Sequence, residues 1–163
     1  MRIEEATDDD LPAVVAIYND VIRTSTAIYR EEPATLAERQ AWNETRKGNG
    51  YPLLVARTED TPVAGFATFG DFRAWPGYRF TVEHSVHVAE RHRGQGIGTA
   101  LMRVLLERGA GLGKHVMVAG IDADNAGSIR MHERLGFEQT GHLKQVGWKF
   151  GRWLDLVFMQ RQL

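Results

Sequence analysis

Hydrophobic positions along this chain change period several times, and each change predicts an element. From Val82 to Val88 the side chains alternate, with Val82, His84, Val86 and Val88 on one side and Glu83, Ser85 and His87 on the other. A period of two predicts a strand. Leu101, Val104 and Leu105 then recur at helical spacing, which predicts an amphipathic helix. Gly94, Gly96 and Gly98 stand between the two.

The same reading extends over the rest of the chain. Arg2 to Ala6 predicts a short strand. Thr7 or Asp8 caps a helix striped with Leu11, Val14, Val15, Tyr18, Val21 and Ile22. Ala27 to Tyr29 is extended. Thr35 opens a second helix through Arg46, with Leu36, Arg39, Gln40 and Trp42 along it. Leu53 to Arg57 and Val63 to Phe69 predict a hairpin, followed by an aromatic loop from Gly70 to Tyr78. His115 to Ile121 predicts a strand and Asp122 to Asn125 a turn. Ser128 to Leu135 predicts a short helix with Gly136 at its C′ position. Phe137 to Thr140 begins a strand, Gly141 to Gly147 reads as irregular, and Phe150 to Gln160 is a last strand. The order is β, α, α, β, β, β, α, β, α, β, β. This is an α/β (α+β) mixed sheet of about seven strands with flanking helices, antiparallel first, with a parallel βαβ unit in the middle.

Composition narrows the class. The 163 residues suit one domain, 1–163, and 43% are hydrophobic, enough for a substantial core. A net charge of -1 gives no basic excess to suggest nucleic acid. There is no cysteine, so neither a disulfide framework nor thiolate chemistry is expected. The polar, acidic start is unlike a signal or transit peptide. No apolar run approaches the roughly 20 residues of a membrane span. The expected setting is cytoplasmic. Six histidines invite a metal reading, but no H-E-x-x-H or similar spacing occurs, and no metal is expected.

The glycine stretch carries the candidate chemistry. Glycine lets backbone approach a ligand closely. The first amides of a helix have no partner inside it, and the helix dipole is positive there. A strand, a glycine turn with Arg93 at its rim and a helix start therefore make a phosphate cradle. A dinucleotide site wants G-x-G-x-x-G on an early strand with an acid ending the next strand. Asp122 meets the last condition, but the spacing here is G-x-G-x-G and the motif falls mid-chain.

The other pattern, R-x-x-G-x-G from Arg93 through Gly96 to Gly98, resembles the pyrophosphate loop of the GNAT superfamily of acetyl-CoA-dependent N-acetyltransferases. The N-x-x-S segment at Asn125 and the L-G-F ending at Phe137 are similar to its second coenzyme-binding segment. With the hairpin and V-x-V strand end in the right order, the resemblance covers nearly the whole chain. A-I-Y-N-D-V, R-Q-A-W, G-D-F-R, T-V-E-H-S-V-H-V and Q-V-G-W-K-F-G-R-W-L-D-L narrow it to the phosphinothricin and methionine sulfoximine acetyltransferase branch. The resemblance implies acetyl transfer from acetyl-CoA to the α-amine of a small amino acid analogue, and a homodimer.

It also implies site residues. Val86, His87 and Val88 would pair through their main chain with the coenzyme's pantetheine arm. A backbone amide there would also donate to the carbonyl oxygen as it gains charge. Gly94, Gln95, Gly96, Ile97, Gly98 and Thr99 would hold the pyrophosphate through N–H groups, with Arg93 adding charge. Asn125 and Ser128 would bind the coenzyme, although Asn125 also reads as a helix cap. Glu83 is the expected general base or, equally, an anchor for the substrate ammonium. His132 stands where the superfamily often has a tyrosine as general acid; it otherwise reads as an exposed helix residue. Arg73 is expected to hold the substrate carboxylate, with Arg79 as alternative. Ala74, Trp75, His84 and Ser85 would line the pocket, with Phe72 beside Trp75. Acetylation of a protein N-terminus, polyamine or aminoglycoside, or non-catalytic acyl-CoA sensing, are the competing readings.

Overall fold

In the computed structural model, which describes residues 1–163, the chain runs β1 (Arg2–Glu5), α1 (Leu11–Thr24), α2 (Leu36–Gly48), β2 (Leu53–Arg57), β3 (Gly65–Asp71), β4 (Thr81–Val88), α3 (Ile97–Gly111), β5 (Val116–Asp122), α4 (Ala126–Arg134), β6 (Glu138–Lys149) and β7 (Arg152–Gln162). The seven strands form one sheet in the order β1-β2-β3-β4-β5-β7-β6. Only β4 and β5 are parallel, with α3 as their crossover.

Strand alternation sorts the core onto two faces. Leu54 and Ala56 of β2 join Leu101, Met102 and Leu105 of α3 on one face. Leu53 and Val55 join Leu11, Val14 and Ile17 of α1 on the other. Both sets are buried, so β2 reads as a continuous apolar run.

α2 departs from this pattern. Its buried residues are Arg39, Asn43 and Arg46, at spacings that share one helix face. A surface helix normally turns an apolar stripe inward.

The segment expected to be irregular, Gly141 to Gly147, lies inside β6. Its pairing with β7 shifts register between Gln139 and Gly141 and between Leu143 and Gly147. Asp155 braces the second shift: its carboxylate accepts from the Gln145 amide and from His142 Nε2, each at 2.8 Å. The extra residues left the alternation unreadable. The last strand begins at Arg152, because Phe150 and Gly151, both at positive φ, form the turn.

Candidate active site

β4 pairs with β3 from Val82 to Val88, but with β5 only from Thr81 to Glu83. Beyond Glu83 the two parallel strands diverge. The β5-facing edge of Val86 to Val88 is thus free of a partner strand and can pair with an extended ligand.

At the end of this slot the backbone turns through Gly94 and Gly96, at φ +73 and +79. Gly96 caps α3 in the left-handed conformation, which glycine adopts without a Cβ clash. Its carbonyl accepts from Ala100, and the first amides of α3 have no helical partner. A Cβ on Gly98 would lie 3.3 Å from Met131 Sδ and 3.7 Å from Val88 Cγ2, so glycine lets α3 start close against α4 and β4.

These features enclose a cleft of about 650 Å³, lined by Val86, His87, Val88, Arg93, Gly94, Gly96, Ile97, Gly98, Thr99, Asn125 and Ser128. Gln95 is apart from it and donates to the Arg91 carbonyl. Asn125 Oδ1 caps α4 by accepting from the Ser128 amide at 3.1 Å, which leaves the NH2 end of its side chain for a ligand. Arg134, in the last turn of α4, adds a second cation that the sequence reading passed over.

Two further cavities meet this cleft along β4. One of about 300 Å³ is lined by Glu83, His84, Ser85, Asp122 and His132, with Ala27 and Ile28 from the segment after α1. The other, about 450 Å³, opens on the α2 side and reaches Glu83, Ser85 and His87. Glu83 therefore stands where both meet, next to the slot. Burial pushes its carboxyl above the usual carboxylate range, and Arg73 partly opposes this.

His132 is 1% exposed, so the exposed-helix reading fails. Its Nδ1 lies 2.7 Å from the Ser128 carbonyl, which can only accept, so the proton is on Nδ1. Burial holds both His84 and His132 below the ordinary histidine range, and they are neutral. His132 Nε2 therefore accepts, at 2.9 Å, from His84 Nε2–H. The rings stack with centroids 5.0 Å apart. Both nitrogens of His132 are thus engaged, which leaves it no free proton for a leaving thiolate. His84 Nδ1 remains a buried acceptor without a partner, and so does Asp122 Oδ2. His87 is likewise held neutral, pushed down to about 4 by burial and by nearby Arg39 and Arg93.

The aromatic loop stays outside. Trp75 is 76% exposed, and neither Trp75, Ala74 nor Arg73 lines the cavities around β4. Arg73 stacks on Phe72 at 4.2 Å and donates to the Phe72 carbonyl. Arg79 donates to Pro76. Phe72 packs instead on Tyr78 and Phe158. The 450 Å³ cavity is walled by Tyr18, Arg39, Trp42 and Arg46, which the sequence reading had not placed in a site. The inward stripe of α2, polar where an apolar one is expected, was the signal available for two of them.

A glycine turn opening a helix, a strand edge free for an extended arm and a carboxylate close by are the arrangement that transfer from an acyl-coenzyme A requires. The chain belongs to the Acetyltransferase (GNAT) family, whose model matches residues 14–137. It is 53% identical, over 99% of its length and 94% of the relative's, to an L-methionine sulfoximine/L-methionine sulfone acetyltransferase of Pseudomonas aeruginosa. A putative acetyltransferase of Salmonella typhimurium, yncA, solved with acetyl-CoA, superposes with a TM-score of 0.97 at 48% identity, covering 100% of this chain and 94% of that one. A phosphinothricin acetyltransferase of Sinorhizobium meliloti, also in complex with AcCoA, gives 0.96 at 41%, covering 99% and 88%. The protein is an acetyltransferase, and acetyl-CoA is its co-substrate. No helix is long and apolar enough to cross a membrane.

Proposed function

We propose that the protein acetylates the α-amine of a small amino acid analogue of the methionine sulfoximine, methionine sulfone or phosphinothricin type. Two of the relatives above are named for such molecules, and their similarity runs the length of the chain. The observation that carries the reading is the position of Glu83. It lies where the slot meets a cavity containing buried cations, Arg39 and Arg46.

Bound acetyl-CoA supplies the thioester that the amine attacks. The free β4 edge holds the pantetheine arm, and the amides from Gly94 to Thr99, with Arg93 and Arg134, hold the pyrophosphate. The substrate amine arrives as ammonium and must lose a proton before it attacks. Glu83 takes it, directly or through one water, since a carboxyl raised by burial is a better base near neutrality than an ordinary one. Arg73, close enough to act on Glu83, holds the α-carboxylate from the loop side. The His84–His132 pair keeps its wall of the site uncharged and fixed.

The protein works in the cytoplasm, the ordinary source of acetyl-CoA, as one domain over 1–163. It works there as a homodimer. Support for the pairing comes from the β6–β7 hairpin, which leaves Val146, Trp148, Phe150 and Trp153 exposed together. Scattered apolar residues are ordinary on a surface, but a cluster of this size suits an interface.

The deciding experiment measures CoA release with methionine sulfone, methionine sulfoximine, phosphinothricin, polyamines, aminoglycosides and a peptide N-terminus. Saturable turnover confined to the amino acid analogues is the expected result. Turnover of the amines or the peptide alone, or acetyl-CoA binding with no release, would refute it.

A further inference from the structure

The inward stripe of α2 buries two arginines that no carboxylate neutralises. Arg39 is 8% exposed and Arg46 6%. A buried charge is costly unless paired or hydrogen-bonded. Arg46 has a structural use: it donates to the Tyr51 carbonyl and, at 2.5 Å, to Asn43 Oδ1. Arg39 has no such bonds. Its neighbour Glu38 is held by Arg30 instead, through both carboxylate oxygens. The Arg39 guanidinium carbon lies 4.2 Å from the Tyr18 ring centroid and 3.7 Å from that of Trp42, and its Nε is buried without a partner.

Contacts to ring faces use none of the guanidinium's N–H donors. Those donors form a planar fork that matches paired oxygens. Arg39 lines the 450 Å³ cavity that continues to Glu83. The pocket is therefore built around a cation whose hydrogen bonds are unspent.

Position along β4 indicates which part of a substrate meets this fork. Tyr18, under Arg39, sets its ring edge-on to His87 at 6.3 Å between centroids. His87 and Glu83 share one side of β4, with Ser85 between them. Arg39 thus stands toward the His87 end, whereas Arg73 acts on Glu83 itself. An α-carboxylate is one carbon from the amine and stays near Glu83. The far end of the side chain extends toward Arg39.

Building on the proposed acetylation of an amino acid α-amine, we infer that Arg39 is a specificity-determining residue that reads the oxygens at the distal end of the substrate side chain. A phosphinate, sulfone, sulfoximine or carboxylate offers the fork paired acceptors. The thioether of methionine, equal in chain length, offers none worth the name. The site selects oxygenated side chains because they give acceptors to a guanidinium that has no hydrogen-bond partner of its own and whose Nε is buried.

The test is steady-state CoA release by the full chain with methionine sulfone, phosphinothricin and methionine, the last also assayed as a competitive inhibitor. Arg39→Met is expected to raise KM for the sulfone and phosphinothricin about tenfold to a hundredfold, the worth of a charged hydrogen bond. kcat, the KM for acetyl-CoA and the methionine constant should stay near wild type. Arg39→Lys keeps the cation and loses the fork, and should give a smaller loss of the same selectivity. Should Arg39→Met not fold, Arg39→Lys alone decides, through its ratio of sulfone to methionine. An equal loss with all three compounds makes Arg39 a packing residue and overturns the inference, as does an unchanged selectivity. Wild-type protein that turns over none of the three removes the proposed function itself, an outcome separate from a variant that fails to discriminate.

Discussion

Lys149 Nζ donates at 2.6 Å to the carbonyl of Ile22, 127 residues earlier in the chain. The same ammonium donates at 2.7 Å to the carbonyls of Ser25 and Ile28, and Lys149 is 0% exposed. The end of one helix and the loop beyond it are thus tied to the β6–β7 hairpin. Tyr29 adds a bond from its hydroxyl to the Asp155 carbonyl, and a Cβ on Gly147 would run into its ring. Ala27 and Ile28, inside this clamp, form part of the wall around Glu83.

Lys149→Met should therefore affect both stability and turnover. It removes three charge-assisted bonds and leaves their carbonyls short of donors, a loss of roughly 3 kcal/mol or more. Urea unfolding should show a lower midpoint with little change in slope. kcat/KM should fall too, even at temperatures where the variant is folded. An unchanged midpoint would mean the loop holds itself.

Three histidines along and beside β4 should make the protein acid-sensitive. His84, His87 and His132 are all held below the ordinary value, His87 at about 4. Unfolded histidines take protons first, so the stability these groups contribute is complete above about pH 6.5 and is lost as pH falls toward their folded values. Unfolding free energy should decline from pH 6.5 downward, and His87→Gln should flatten the decline. A profile identical to wild type would show that His87 does not titrate in this range.

His84 and His132 should be energetically coupled. Removing either ring strands a buried nitrogen of the other, so the costs of the single variants His84→Phe and His132→Phe should sum to more than the cost of the double. A double-mutant cycle on unfolding free energy is expected to give a coupling of about 1 kcal/mol or more. Additive costs would contradict the hydrogen bond.

Glu83→Gln separates chemistry from stability. Loss of the base should lower kcat about a hundredfold and leave acetyl-CoA affinity intact. A raised KM with kcat preserved would instead mark Glu83 as an anchor for the ammonium. Folding raises this carboxyl, so the folded chain keeps the proton to higher pH than the unfolded one. The stability from the protonated form is present below about pH 4 and is lost as pH rises through the folded value. The Gln variant should thus melt higher than wild type at pH 7, and the gap should close in acid.

Gly120→Ala tests the room that Glu83 needs. A Cβ there would sit 3.0 Å from Glu83 Oε1 and 3.6 Å from Leu156 Cδ1. The carboxylate must shift, so activity should drop several-fold while thermal unfolding moves little. Wild-type activity would mean the carboxylate is free to swing aside.

The core of the fold was legible because β4, the glycine turn and α3 each carry a strong local signal. These are alternation, forced positive φ at Gly94 and Gly96, and helical spacing. The α2 pocket was not. Periodicity counts apolar residues, and α2 buries Arg39, Asn43 and Arg46. His132 was hidden for a related reason: a histidine in a polar-looking helix reads as solvated, and the partner for its Nε2 is the distant His84. The aromatic loop shows the reverse case: Trp75 suggested a lining, yet it is 76% exposed and only Arg73 of that loop acts on Glu83.

The divergence of β4 from β5 bears on more than ligand binding. Across that line the two halves of the sheet are laced by the pairing of Thr81–Glu83 with Val116–Val118 and by a bond from the His115 amide to the Phe80 carbonyl. An extended thioester arm lying there would fill the gap between the two strands beyond their last rung. When acetyl-CoA runs short, the empty enzyme should breathe along this line first and be the form that proteases find.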